Sequence, residues 1–458
     1  MTSGPRPRRA STAPKFVTGP VLRHILEMAG TGAIGLMAIF LGDLANIYFL
    51  SISGDDTVIA AIGYASSILF FSTSVGIGLS IAASTLVSPA VGANVRSKAR
   101  RLSTHAHLLA FAVSAAFSIV LWFFIPSLLD LLRATGRAHA LATIYLAILI
   151  PTLPLIALGM TSSAVLRSVG DARRAMFVTL TGAAVNTVLD AVLILKMGLG
   201  VEGAAIASAL ARCAIVAMGL FGVIGIHRLW GALKPNVLAD DARAYFVVAV
   251  PAVMTNIATP FGNAYVTTAV APFGDDAVAG WAIIGRIIPV AFGAIYALSG
   301  TVGPIIGQNL GARQPERMRA VLTQSLLVTG AFTLAAWVLL FILAQPMASG
   351  FKASGEAHSL IVYFCRWLSP MFVFLGGVFI ANAAFNVLGK PHMSTALNWG
   401  RATLGTIPFV ALGASLDGAR GALTGQMLGG VFFGFLAVVL AYRLIDRIAF
   451  RMRDVSLA

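Results

Sequence analysis

The sequence predicts an all-α integral membrane protein with twelve transmembrane helices in two six-helix lobes related by a parallel internal repeat. Composition is the first reason: 58% of the 458 residues are hydrophobic and only 11% charged. The mean hydropathy of +0.89 lies well outside the soluble globular range. Segmentation is the second, because a run of about 20 apolar residues crosses a hydrocarbon core as a helix and the chain contains twelve such runs. The third is a near-repeat of short motifs at an offset of 219 to 220 residues.

Taken in order, residues 1–20 are rich in Pro, Ser and Arg and are expected to form a disordered cytoplasmic tail. The apolar run that follows has no A-x-A-like cleavage site and is too long for a signal peptide, so it should remain as the first helix. The six runs of the N-lobe (21–226) lie near 25–52, 57–91, 104–131, 138–166, 175–196 and 203–226. A polar connection at 227–243 divides the chain nearly in half and is expected to be a cytoplasmic interlobe loop. The C-lobe (244–446) carries runs near 244–271, 277–310, 320–348, 357–388, 393–415 and 420–442, with a second cytoplasmic tail at 447–458.

The distribution of basic residues sets the orientation. Of the 32 Lys and Arg, Arg133, Arg137, Lys196, Lys352 and Arg420 fall on one side, and Arg212, Arg286, Arg366 and Arg401 fall within spans. The remaining 23 fall on the side of the N-terminus. This asymmetry is the positive-inside pattern and predicts that both termini are cytoplasmic. The net charge of +15 therefore reflects topology and does not predict a nucleic-acid surface.

The repeat links 54-GDDTV-58 to 274-GDDAV-278, 91-VGAN-94 to 310-LGAR-313, and 167-RSVGD-171 to 386-NVLGK-390. Six spans per unit is an even number, so both units enter the membrane in the same direction and substrate sites are expected between them. The copies differ in their acids. Asp43 corresponds to Asn263, and Asn186 and Asp190 correspond to Gly405 and Phe409, so buried acids occur only in the first lobe. A packing role common to both bundles would have kept them in both.

The candidate site is centred on 186-NTVLD-190. Residues at i and i+4 share a helix face, so Asn186 and Asp190 point the same way. An aspartate near mid-membrane costs roughly 2.5 to 3.5 kcal/mol on insertion scales and usually lines a bundle interior or an ion path. Asp43 is its expected partner. At 1.5 Å per residue, Asp43, Asp190, Ser208 and Tyr145 lie about 18, 9, 9 and 12 Å below the outer loops, in the outer half of one bundle. Two carboxylates close together in a low-dielectric site cannot both ionise cheaply, so the pair should bind a proton or a monovalent cation. Protons are the favoured coupling ion, because the available oxygen ligands are too few for a convincing sodium cage.

Several other motifs carry no chemistry. Residues 198-GLGVEG-203 match G-x-G-x-x-G, but no strand precedes them and no acid follows at the right distance, so they read as a turn between helices. The 389-GK-390 pair lacks the upstream glycine of a phosphate loop. Cys213 and Cys365 are expected to be packing residues, and no His/Cys cluster has metal-ligand spacing. No catalytic constellation is visible, so the sequence predicts a transporter rather than an enzyme or channel.

These motifs together resemble the multidrug and toxic compound extrusion (MATE) family over nearly the whole chain. The resemblance rests on the twelve spans, the GD…GDD…AA pattern at 42–61, 92-GA-93, 311-GA-312, 166-LRSVGD-171, 186-NTVLD-190 followed by 198-GLGVEGAAIAS-208, and 385-FNVLGKP-391. Within the family the chain is most similar to the DinF-type branch, whose N-lobe acids and neighbouring asparagine form a proton- or sodium-responsive site. The resemblance implies that Asp43, Asn186 and Asp190, with Ser208 and Tyr145 as neighbours, form that site. It further implies a monomeric antiporter of the bacterial inner membrane, driven by H+ or Na+, that expels small organic, cationic and amphipathic compounds by alternating access. Two departures matter. The segments corresponding to acid-bearing C-lobe helices in NorM-type relatives, 251–263 and 371–382, contain no acid, and 24-HILEMAG-30 lacks the early proline of some DinF-type members. The alternative is a lipid-linked saccharide flippase of the same superfamily, in which Arg286 and Arg401 would meet a pyrophosphate; twelve spans and an N-lobe acid pair favour the exporter.

Overall fold

A computed structural model describes residues 14–51 and 56–457, and among these residues the secondary structure is entirely helical. The N-lobe consists of α1 (Val21–Ser51), α2 (Asp56–Gly92), α3 (Arg96–Phe123), α4 (Gly136–Ser168), α5 (Ala172–Lys196) and α6 (Gly200–Ile226). The C-lobe begins with α7 (Pro235–Phe273) and continues with α8, which is made of Asp275–Ala291 and Gly293–Gly311 joined at a 52° bend. Helices α9 (Pro315–Gly350) and α10 (Gly355–Val387) follow. The last stretch contains two crossings, α11 (391–416), interrupted by a turn at 403–406, and α12 (419–457), because the backbone leaves the helical region at Asp417 and Gly418. Twelve crossings result, six to a lobe.

Boundaries differ from the hydropathy reading where polar residues are nevertheless helical. The interlobe connection was expected at 227–243, but α7 already starts at Pro235, a residue suited to the first helical position. Its opening turns, 235-PNVLADDAR-243, are too polar to register as a span. In the same way 447–457, expected to be a tail, extends α12. Of the segment expected to be a disordered tail, residues 1–13 lie outside the described residues, whereas residues 14–20 pack against the lobes. Phe16 is 0% exposed, its N–H donates to Gln308 Oε1 at 2.9 Å, and its carbonyl accepts from Arg317 Nη2 at 2.8 Å. Lys15 reaches the Gly170 carbonyl at 3.2 Å, so this short strap touches both lobes. Composition underrated it because one buried aromatic ring outweighs several polar neighbours.

The lobes are joined at the end of the molecule that carries the basic loops. There the final turns of α2 and of α8 cross in backbone contact: a Cβ added at Gly92 would lie 1.9 Å from the Gln308 carbonyl oxygen, and one at Gly311 would lie 2.0 Å from that of Pro89. Only glycine permits that approach. Gln308 Nε2 donates to the Ser168 carbonyl at 2.7 Å, and Tyr245 Oη donates to that of Leu79 at 2.9 Å, both across the lobe boundary.

The interlobe connection is tied to the N-lobe through buried polar groups. His105 Nδ1 is 2.7 Å from Asp241 Oδ2, and His105 Nε2 accepts from the Lys234 backbone N–H at 3.3 Å. His227 Nε2 is 2.7 Å from Asp171 Oδ2, and Arg174 also bonds that carboxylate. Burial pushes the Asp171 carboxyl up, but hydrogen bonds from His227 and Arg174 outweigh it and bring the group down to about 2.

Candidate functional site

Asp190 closes the α-helical part of α5, and the next six residues, Ala191–Lys196, form a π-helical turn. Such widened turns recur at functional sites because they re-aim side chains. The Asp190 side chain is 0% exposed. Its Oδ2 accepts from Asn186 Nδ2 at 2.7 Å, one turn back on the same helix, and from Asn46 Nδ2 at 2.9 Å on α1. Oδ1 is enclosed and has no hydrogen-bond partner. The carboxylate is therefore half-satisfied, with one oxygen held by two amides and the other free to take a proton or a cation.

Asn46 was missed by the sequence reading. The signal was present, since Asn46 is three residues after Asp43 and so shares its helix face. Asp43 itself is exposed and makes no hydrogen bond or ion pair among the described residues. Its neighbour Gly42 packs toward Ala183 and Thr187 of α5, which brings this level of α1 beside the turn that carries Asn186. Asn46, rather than Asp43, bonds Asp190.

Tyr145 of α4 is 7% exposed and lies within electrostatic reach of Ser208 and Arg212 on α6, of Asp190 and of Asp43. The five predicted residues thus share one neighbourhood. Arg212, four residues past Ser208, belongs there too and is explained by a break in α4. Pro154 cannot donate to the Ile150 carbonyl, and a 3-10 turn forms at Ile150–Thr152. Ser118 Oγ donates to that carbonyl at 2.6 Å, while Arg212 Nη1 bonds the Leu149 carbonyl at 2.8 Å and Thr152 Oγ1 at 2.6 Å. Arg212 therefore caps a broken helix instead of neutralising Asp190.

The C-lobe has the opposite character. Arg401 of α11 donates from Nη2 to Thr259 Oγ1 on α7 at 3.0 Å, and Gln426 of α12 donates to Asn263 Oδ1 at 3.4 Å. Tyr296 of α8 lies within electrostatic reach of Arg401. Arg366 instead places its guanidinium over the Phe341 ring at 5.4 Å.

Two lobes of six apolar helices, related by an internal repeat, define a polytopic membrane protein of two-lobe architecture. The MatE family model matches residues 21–192 and 251–412, and the chain belongs to that family: it is a secondary transporter and not an enzyme. It is 30% identical over 441 residues to a FAD transporter of Shewanella oneidensis, covering 94% of this chain and 96% of the relative. It is 22% identical over 438 residues to the multidrug export protein MepA of Staphylococcus aureus, with 94% and 96% covered. Among solved structures, the Vibrio cholerae MATE transporter VcmN in the bent form superposes with a TM-score of 0.89 at 22% identity, covering 93% of this chain and 98% of that one.

Proposed function

We propose that the protein is an efflux antiporter for small organic molecules whose driving ion, a proton or sodium, loads at Asp190. One observation carries the reading: a fully buried carboxylate with one oxygen fixed by Asn46 and Asn186 and the other unbonded. Such a group in a low-dielectric bundle is a binding site for a small cation, and Asp43, on the same face of α1 as Asn46, gives an exposed acid from which that ion can be delivered. With the basic end cytoplasmic, the contacts at Gly92 and Gly311 close the interlobe boundary on that side. Ion loading from outside then favours return to the inward-facing state. Protons are the favoured ion, since the two Asp190 donors are amides and leave few oxygens for a sodium cage.

The test is efflux from proteoliposomes with pH and sodium gradients imposed separately. Efflux should persist without sodium, collapse when the pH gradient is dissipated, and fall to background in Asp190→Asn, which keeps shape and hydrogen bonding but cannot carry charge. Normal efflux by a well-expressed Asp190→Asn protein would overturn the assignment.

Two substrate classes have support. The N-lobe acids Asp43 and Asp190 and the similarity to MepA favour amphipathic cations. The similarity to the FAD transporter, higher and over a similar length, together with Arg401, which pairs with no carboxylate among the described residues, favours an anionic flavin nucleotide.

A further inference from the structure

We infer that the C-lobe polar cluster around Arg401 is the seat of an anionic group, a phosphate ester, on the exported molecule. The inference rests on the efflux reading above and specifies the substrate class. Arg401 Nη2 donates to the neutral hydroxyl of Thr259, and its Nε is enclosed without a partner. No carboxylate pairs with the guanidinium among the described residues, and the C-lobe span interiors offer none. A guanidinium inside a membrane bundle requires a counter-charge or a wet cavity, and here the protein supplies no counter-charge.

The neighbours fit an oxyanion. Tyr296 and Asn263 bring a hydroxyl and an amide to the same region, and Gln426 holds Asn263 from the far side while its own Oε1 has no partner. Thr259 and Asn263 are exposed on α7, so the cluster opens to a surface, and polar groups bearing an arginine make lipid an unfavourable neighbour for that surface. A planar guanidinium with its remaining N–H groups free recognises phosphate in a bidentate manner. The repeat sharpens the point. Asn263 stands where the first lobe has Asp43, so the acid has been removed from the lobe that gained the arginine. A buried acid in one lobe for the coupling cation is thus matched by a span arginine in the other for the substrate anion.

The experiment is equilibrium binding to the purified full-length protein in an uncharged detergent, read by flavin fluorescence. The probes are riboflavin, flavin mononucleotide and FAD, which share a ring system and differ in phosphate. Both phosphorylated flavins should bind at least about tenfold tighter than riboflavin, the ratio expected for hydrogen bonds to a charged group. Arg401→Gln should remove that advantage and leave riboflavin binding unchanged; Arg401→Lys should retain part of it. Unaltered melting temperatures establish that the variants are folded, and Thr259→Val provides a milder second variant with the same sign of effect. Equal binding of the three flavins by the wild type, no phosphate-dependent binding of any of them, or equal losses for riboflavin and the nucleotides in Arg401→Gln would each overturn the proposal. So would displacement of flavin mononucleotide by phosphatidylglycerol micelles at matched phosphate concentration, which would assign the seat to a lipid headgroup. No ion gradient enters the measurement, so its failure is separable from failure of coupling at Asp190.

Discussion

At the scale of single residues, the position of Asp190 could be read from the sequence because a turn of helix fixes which side chains are neighbours. Asn186 is four residues away and donates to it directly. Asn46 was not legible by that route: it comes from a helix 144 residues earlier, and only packing of α1 on α5 selects it over Asp43. Its contribution can be measured. Asn46→Ala removes one of two donors to a buried carboxylate, an interaction worth about 1.5 to 3 kcal/mol for a charged acceptor. Because those donors stabilise the charged form, their loss favours protonation. Half-maximal proton-driven efflux should therefore shift to higher pH by about one to two units in Asn46→Ala, measured in liposomes over a series of external pH values. An unchanged pH profile would mean that the amide serves packing alone. Arg401 shows the converse limit, since its presence within a span was legible but its lack of a carboxylate partner among the described residues was not.

At the scale of elements, the twelve crossings followed from hydropathy, whereas their ends and breaks did not. A span is detected by its apolar middle, so the polar first turns of α7 and the last turns of α12 escaped notice although they are helical. Breaks depend on who receives the freed carbonyls, which is a tertiary question. In α4 the recipients of Arg212 and Ser118 lie on the broken helix itself, while the donors come from α6 and α3. The join between α4 and α5 illustrates an electrostatic device at a helix end. Asp171 accepts the Arg174 backbone N–H at 3.1 Å as an N-terminal cap and also binds His227 of the interlobe connection. Its carboxyl is held down at about 2, so the sign is that of a depressed acid. The stability it contributes is present above the unfolded value of 3.8 and is lost as pH falls through about 2. The difference in melting temperature between the wild type and Asp171→Asn should thus be steady from about pH 7 to pH 5 and shrink below about pH 4. A difference that grows on acidification would refute this account.

At the scale of the whole molecule, the internal repeat was visible as three short matches and anticipated the two lobes, but not the burial of acids: Asp43 is exposed, and Asp241 is buried in the opening turns of α7. What the repeat could not convey is which end of the interlobe boundary is shut. That depends on backbone contact at Gly92 and Gly311, where the absence of a side chain matters and the surrounding pattern does not. A methyl group at Gly92 cannot be accommodated against the Gln308 carbonyl without movement. Gly92→Ala should therefore part the basic ends of the lobes. Spin labels on the basic ends of α3 and α9 would report a longer mean separation than in the parent protein, and an unchanged distance distribution would show that the helices slide instead.

The strap formed by residues 15–19 adds a clock to that boundary. Before the basic end can open, Phe16 must be withdrawn from between the lobes and the bonds from Gln308 and Arg317 must be surrendered. Exposing one phenylalanine alone costs about 1.5 to 3 kcal/mol, which makes the unstrapped form roughly one molecule in ten to one in a hundred and fifty. Opening then waits on a minority population, and the turnover rate becomes sensitive to what the strap carries. A purification handle at the N-terminus would alter the measured rate even though the strap lies far from both the ion and the substrate, whereas one placed after α12 would leave the timing to the native chain.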